Sequence, residues 1–244
     1  MKFKETKPCA ALEPYIHSFW ELKGADNDKQ WERNFPDACP GLVVNLGDTC
    51  VTDSGAATMD FAKTYVVGTM TTFKDSFIEV NTHLLGVCMK PGAFSNFYDF
   101  VAQNELRDKT VQLENRLSFD IHKLIKNPIH YLNQFLTERL QSTNGLLQSV
   151  MDDIHKSNGQ LNINKIAENN FITVRRLERN FKAHIGITPK EYSNIIRFQN
   201  ALLKIKSFKQ GKRLADIAFE CGYYDHAHLA NEIKKHTGLS PTQL

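Results

Sequence analysis

The stretch LNINKIAENNFITVRRLERNFKAHIGITPKEY, Leu161 to Tyr192, decides the reading, because the chain writes it again as RLADIAFECGYYDHAHLANEIKKHTGLSPTQL, Arg213 to Leu244. Each copy runs from an Ile-Ala pair (Ile166-Ala167, Ile217-Ala218) across a polar turn into a second helix. Each closes on Gly-x-[Thr/Ser]-Pro, Gly186 to Pro189 and Gly238 to Pro241. Glycine suits a helix stop and proline cannot continue one, so both second helices have a defined end. Two helices joined by a turn form a helix-turn-helix unit. Its repetition suggests a two-site DNA reader rather than an enzyme.

In the first copy, Thr173 suits the N-cap of a helix over Val174 to His184. On a 3.6-residue wheel Leu177, Phe181 and His184 fall on one side, with Val174 near them. That side packs on the preceding helix through Ile163, Ile166 and Ala167. The opposite side carries Arg175, Glu178, Arg179 and Lys182. An arginine can donate two parallel hydrogen bonds to guanine O6 and N7, and a carboxylate can accept from cytosine N4. The first turns of such a helix approach base edges, so Arg175 and Arg179 are expected to read bases and Lys182 to meet a phosphate.

In the second copy, Asp225 is the expected N-cap and His226 to Thr237 the helix, with Leu229, Ile233 and His236 packed inward. The positions matching the first reading face are Ala227, Ala230, Asn231 and Lys234. Asn231 can bond adenine N6 and N7, and the alanines can touch thymine methyls. The same face can equally lie along the sugar-phosphate backbone and read nothing. His226, His228 and Cys221 do not make a zinc set, because side chains at i and i+2 on a helix diverge.

Between the copies, residues 190–208 read as one long helix whose apolar residues include Tyr192, Ile195, Ile196, Phe198, Leu202 and Leu203. A rigid connector of that kind sets the two reading helices roughly 34 Å apart, the spacing of successive major grooves on one face of B-DNA. From Gly145 onward the chain holds 15 Lys and Arg against 9 Asp and Glu, a net +6, whereas the remainder is −3. A basic C-terminal part on an acidic N-terminal part fits a DNA-binding half tethered to something else.

The remaining residues bound the class. The chain has 244 residues, 41% of them apolar and 23% charged, as in globular proteins. No run of 18 uncharged apolar residues is present and MKFKETKPCAALEPY lacks the apolar core of a signal peptide, so a cytoplasmic protein off the membrane is expected. Five cysteines, Cys9, Cys39, Cys50, Cys88 and Cys221, show no metal-ligand spacing and read as isolated reduced thiols. His17, His83, His122 and His130 are too scattered to compose a metal set. No cofactor and no metal are expected.

Residues 1 to about 118 read as strands and turns. FPDACPGLVVNLGD, Phe35 to Asp48, is a Pro/Gly turn, a short apolar strand and a second turn. Residues 65–68, 77–80 and 84–89 are further strands, and AFSNFYDF, Ala93 to Phe100, a short helix. Residues 119–141 become helical, with Pro128 starting or kinking a helix. The stretch 142–145 is the best linker, and Leu146 to Lys156 an amphipathic helix turning Leu147, Val150, Met151 and Ile154 inward. The fold class is therefore α+β. An N-terminal, mostly antiparallel β domain over 1–141 precedes an all-α domain over 145–244. Within the latter the units span about 161–184 and 213–237 around the 190–208 helix. Trp20, Trp31, Arg33, Phe35 and Tyr65 can line a small-molecule pocket in the first half.

The C-terminal hundred residues resemble the DNA-binding domain of AraC/XylS-type bacterial transcription regulators. The resemblance is carried by GYYDHAHLANEIKKHTGLSPTQL, Gly222 to Leu244, and by IAENNFITVRRLERNFKAHIGITPKEY. It implies a seven-helix domain with two helix-turn-helix units, transcriptional regulation or activation, and frequent homodimerisation. Two departures appear: Ile233 stands where the family usually has phenylalanine, and Asn231 where a basic residue is common. FPDACPGLVVNLGD, Val67-Gly68-Thr69 and GVCMKPGAFSNFYDFVAQNELRDKTVQLE resemble a domain found ahead of this module. That resemblance implies a sensor or dimerisation half with a cupin-like sheet. The expected partners are double-stranded DNA, with RNA polymerase, a small-molecule effector and a second copy of the chain as further candidates. The competing reading is a cupin-like enzyme or metal-binding domain fused to a DNA-binding module, against which stand the lack of paired carboxylates, of a His/Cys/Asp arrangement and of a phosphate loop.

Overall fold

The computed structural model describes residues 1–98, 102–141, 145–207 and 213–244. The first half alternates short strands and turns: β1 (Lys2–Thr6), β2 (Ile16–Lys23), β3 (Lys29–Asn34), β4 (Gly41–Asn45), β5 (Cys50–Thr52), β6 (Ala57–Met59), β7 (Thr64–Val67), β8 (Lys74–Glu79), β9 (His83–Met89) and, after the one-turn helix α1 (Gln103–Leu106), β10 (Thr110–Gln112). Six of these form one antiparallel sheet in the order β1-β2-β9-β4-β7-β10. Two hairpin-like ribbons, β3-β8 and β5-β6, complete the β part.

Alternation along the strands builds two cores. Leu42 and Val44 of β4, Val66 of β7 and Leu85 and Val87 of β9 turn to one face, where they are buried. There they meet the side chains of α2 (Ile121–Lys126) and α3 (Pro128–Arg139), including Leu124, Leu132 and Leu136. Their neighbours Val43, Tyr65 and Leu84 turn to the other face and pack with Cys50 and Met59 of the β5-β6 ribbon. Period-two burial of this kind fixes register, since a one-residue slip would exchange the faces. Trp20 lies flat over Gly86 of β9, where a Cβ would fall 2.1 Å from the indole, so only glycine fits there.

Asn127 caps α3 and Pro128 stands at its first position, as expected of a helix-starting proline. The expected helix over Ala93 to Phe100 is shorter: a 3₁₀ turn at Phe94–Asn96 is formed, and residues 99–101 lie outside the described residues, as do 142–144 of the expected linker.

The second half is helical: α4 (Gly145–Lys156), α5 (Ile163–Asn169), α6 (Val174–His184), α7 (Pro189–Lys206), α8 (Leu214–Glu220) and α9 (His226–Thr237). The four α4 residues expected to turn inward are all buried. The connector helix ends two residues short of expectation, and Phe208 lies outside the described residues. Its start is fixed by a capping box in which Thr188 and Glu191 satisfy each other's backbone N–H groups. One side of α7 gives Tyr192, Ile195 and Ile196 to a core shared with α4, α5 and α6, and further along Phe198 and Ala201 to a core shared with α8 and α9.

Candidate nucleic-acid interface

Each unit puts a short helix, anchored by a buried Ile-Ala pair, behind a longer, half-exposed one. In the first, Thr173 Oγ1 accepts a hydrogen bond from the Arg176 amide at 3.2 Å and starts α6. Leu177 and Phe181 bury the inner stripe of α6 against Ile166 and Ala167 of α5. Arg175, Glu178, Arg179 and Lys182 are exposed on the outer side, and so is Arg176, which the reading of the sequence passed over. Its charge and its place in the first turn were the signal. Among the described residues none of these four cations forms an ion pair, which leaves them available for phosphates and base edges.

In the second unit, Asp225 Oδ1 accepts from the His228 amide at 2.7 Å and starts α9. Leu229 and Ile233 are buried against Ile217 and Ala218 of α8. His236 is buried too, its ring 4.7 Å from that of Phe198. Ala227, Asn231 and Lys234 are exposed and Ala230 is half-buried. The turns ahead of the two reading helices each display an aromatic ring, Phe171 at 96% exposure and Tyr224 at 85%. Phe171 sits at φ 53°, a left-handed conformation that Gly222 supplies in the other copy at φ 71°.

The β half docks on the ends of both reading helices that lie away from their capped first turns. Thr69 Oγ1 donates to the Ile185 carbonyl, just past α6, at 2.6 Å. The Thr71 carbonyl lies 2.9 Å from His236 Nδ1, and Thr72 Oγ1 donates to the Lys235 carbonyl at 3.1 Å. Arg33, held bidentate by Asp75, donates to the Thr237 carbonyl at 3.1 Å. Gly238 follows in the left-handed conformation that ends a helix, so close to Phe73 that a Cβ would fall 2.8 Å from the ring. On α9 itself, His236 faces Glu232 and with Lys235 draws its carboxyl down to about 2.

A cavity of about 430 Å³ opens on the second face of the main sheet, walled by Trp20, Leu22, Met59, Met70 and Ile78. Arg33 and Phe35 border it as expected, whereas Trp31 and Tyr65 do not. The Trp31 ring lies 5.2 Å from that of Phe77, tilted against it at the surface, and the Tyr65 hydroxyl accepts from the Asp60 amide at 2.7 Å. The buried pair Lys74–Asp53, at 2.8 Å, borders the same cavity.

The cysteines depart from expectation. Cys39 and Cys88 are not isolated: with Asp37 they bring three ligand atoms within 4.8 Å of one another. The 49-residue gap hid this, because only the pairing of β4 with β9, which sets Gly41 opposite Cys88, closes it. The Cys39 thiol is pushed well up by its hydrogen bond with Cys88 and by burial, and burial raises the Asp37 carboxyl as well.

Comparison with known proteins follows this division. Residues 166–244 match the helix-turn-helix domain family, and residues 4–112 a domain of unknown function, DUF6597. The transcriptional activator RhaS of Escherichia fergusonii is 30% identical over 79 residues, which cover 32% of this chain and 28% of that protein. The transcriptional regulator MtrA of Neisseria gonorrhoeae is 29% identical over 98 residues, 40% of this chain and 31% of that protein. The chain thus matches less than a third of the length of either relative. A structure of ToxT from Vibrio cholerae O395, bound to (E)-4-(8-methylnaphthalen-1-yl)but-3-enoic acid, is similar with a TM-score of 0.49 at 10% identity, over 100% of this chain and 98% of that one. Residues 166–244 are a helix-turn-helix domain. The matched relatives are regulators, and the reading as a cupin-like enzyme gains nothing from them. Among the described residues no helix is long and apolar enough to cross a membrane.

Proposed function

We propose that the protein is a sequence-specific DNA-binding transcription regulator, with residues 1–141 as regulatory and dimerisation half and residues 145–244 as reading half. One observation carries the reading: two exposed helices, α6 and α9, are fixed on a single connector, and one bears four unpaired cations. Cations free of carboxylate partners displace condensed counterions from duplex DNA, which supplies affinity. Arg175 and Arg179 are the proposed base readers, with Glu178 beside them and Lys182 on phosphate. Ala227, Asn231 and Lys234 are the proposed contacts of the second unit, which sets register along the backbone.

The cavity in the β half supports an effector role. Its volume and mostly apolar walls suit a small organic molecule. It is bordered by Arg33, which holds the C-terminal end of α9, so occupancy has a short path to a reading helix. A second copy of the chain and RNA polymerase complete the proposed partners.

Footprinting the full chain across its own upstream region, with and without candidate effectors, tests the reading. Protection of discrete segments that survives excess unrelated duplex is the expected result. Binding that does not distinguish sequence under either condition would overturn it.

A further inference from the structure

We propose that Asp37, Cys39 and Cys88 form a binding site for a zinc-class divalent cation at the seam between the sheet and the helical domain. Two sulfurs and one carboxylate oxygen lie within 4.8 Å of one another, close enough for one ion to reach all three. The donor set selects the ion. Two thiolates favour zinc and its soft neighbours over magnesium or calcium, which require oxygen. The carboxylate argues for a cation rather than a disulfide, since it plays no part in S–S formation, whereas a cation would displace the two thiol protons and take the carboxylate as a third ligand.

The three residues border a cavity of about 380 Å³ that His155 of α4 and Tyr192 of α7 also line. Three protein ligands would leave a fourth tetrahedral position open to water or a further ligand. His155 is already oriented, its Nε2 lying 2.8 Å from the Tyr192 hydroxyl, and His17 borders the same cavity from the sheet side. The backbone is also prepared. The Cys39 amide donates to Asp37 Oδ1 at 2.9 Å, folding the ligand-bearing turn on itself.

Between the two proposed ligands stands Ala38, fully buried in the core of the first helix-turn-helix unit and held at φ 61°. Three residues earlier, Phe35 packs on the core of the second unit, and the Pro36 carbonyl accepts from Gln199 of α7 at 3.4 Å. An ion that fixes the side chains on either side of Ala38 therefore fixes the segment that plugs the sheet into both units. Cation binding stands independently of the DNA-reading proposal; only its use as a regulatory signal rests on that proposal.

The test uses the full chain, reduced, stripped with chelator and titrated with Co²⁺ and then Zn²⁺. One Co²⁺ per chain with a thiolate charge-transfer band, displaced by Zn²⁺, is expected. Cys88→Ser and Cys39→Ser should each lose the band, while Cys50→Ser, altered in a separate core, keeps it. Matching circular dichroism spectra for Cys88→Ser and wild type exclude misfolding as the cause. Zn²⁺ should also slow amide exchange in α4 and α7 of the wild type but not of Cys88→Ser. Absence of the band, or its persistence in both ligand variants, would overturn the site. Recovery of a Cys39–Cys88 disulfide from protein that never binds Co²⁺ would overturn it in favour of redox chemistry. Stoichiometric binding without a change in exchange would overturn the coupling to the helical domain. None of these readouts involves DNA, so a failed footprint and a failed metal titration remain distinguishable.

Discussion

The two helix-turn-helix units share a scaffold and differ on the surface that the scaffold presents. Leu177 and Phe181 in one and Leu229 and Ile233 in the other are equally buried, each behind an Ile-Ala pair and each started by a side-chain cap. Outward, α6 shows three arginines, a lysine and a glutamate, whereas α9 shows alanine, asparagine, two histidines and two lysines, one of them paired with Glu232. Away from the capped ends the β half holds both units. Residues 235–237 are held by Arg33, Thr71 and Thr72, and on the first unit Ile185 is held by Thr69, His184 lies 3.2 Å from Ser95 Oγ and Glu191 pairs with Arg107 at 2.7 Å. A repeated fold thus keeps the docking to the β half in both copies and lets their outward surfaces differ. Duplication conserves what packing requires and frees the rest.

If the scaffolds are equal, core truncation should damage both units alike. Phe181→Ala is expected to cost about 3–5 kcal/mol and Leu229→Ala about 2–5 kcal/mol, both measured by denaturant unfolding. A cost near zero at either site would break the equivalence of the cores. If the surfaces are unequal, surface truncation should separate them. Arg179→Ala is expected to weaken specific binding to a footprinted site by about 1–3 kcal/mol at fixed salt and to relax preference at one base pair. Asn231→Ala should cost less. A larger loss at Asn231 than at Arg179 would invert the asymmetry.

The helical half was legible in the sequence because its determinants are local. Thr173, Asp225, Gly238 and the two Ile-Ala pairs each act within a few residues of where they stand, and the structure uses them as expected. The β half was legible only where a strand was a short apolar run, as at Leu42, Tyr65 and Leu84. Strands such as KFKET and KQWERN are mostly charged and exposed on both faces, so neither alternation nor hydropathy marks them. Tyr65 fell outside the cavity because its ring packs into the ribbon core, and Trp31 because its ring finds Phe77 at the surface. Cys39 with Cys88, and the straps at residues 33–38 and 69–73, depend on pairings far apart in sequence that no spacing encodes.

The comparison also has a pH signature. Glu232 is the α9 counterpart of Asn180 on α6, so only the second unit carries this carboxyl. Its bond to His236 and the nearby Lys235 lower it from the ordinary 4.5 to about 2. A depressed folded value contributes stability that is present above the unfolded value and is lost as pH falls through the folded one. Acidification from pH 4.5 towards 2 should therefore loosen α9 before α6, by on the order of 1–2 kcal/mol once solvent screening is allowed for. Amide exchange over that window reads the order of opening. Glu232→Gln should flatten the difference, and equal opening of both helices in the unaltered chain would count against it.

Arg33→Ala gives the smallest effect and the sharpest comparison, because it separates docking from folding. The guanidinium pairs with Asp75, donates to the Thr237 carbonyl and lies 4.2 Å over the Phe73 ring. The Arg33–Asp75 pair is partly exposed, so its loss should cost no more than about 1 kcal/mol of global stability. Its local consequence differs, since it removes a partner of the last carbonyl of α9 and frees the Phe73 ring that packs on Gly238. Exchange should therefore quicken in residues 235–238 and stay unchanged in residues 181–186, where Thr69 still holds Ile185. Quickening at both helix ends would mean that the β half docks on the two units as one cooperative surface. Quickening at neither would mean that Thr71 and Thr72 suffice, and that the arginine at the cavity wall has no line to the second unit.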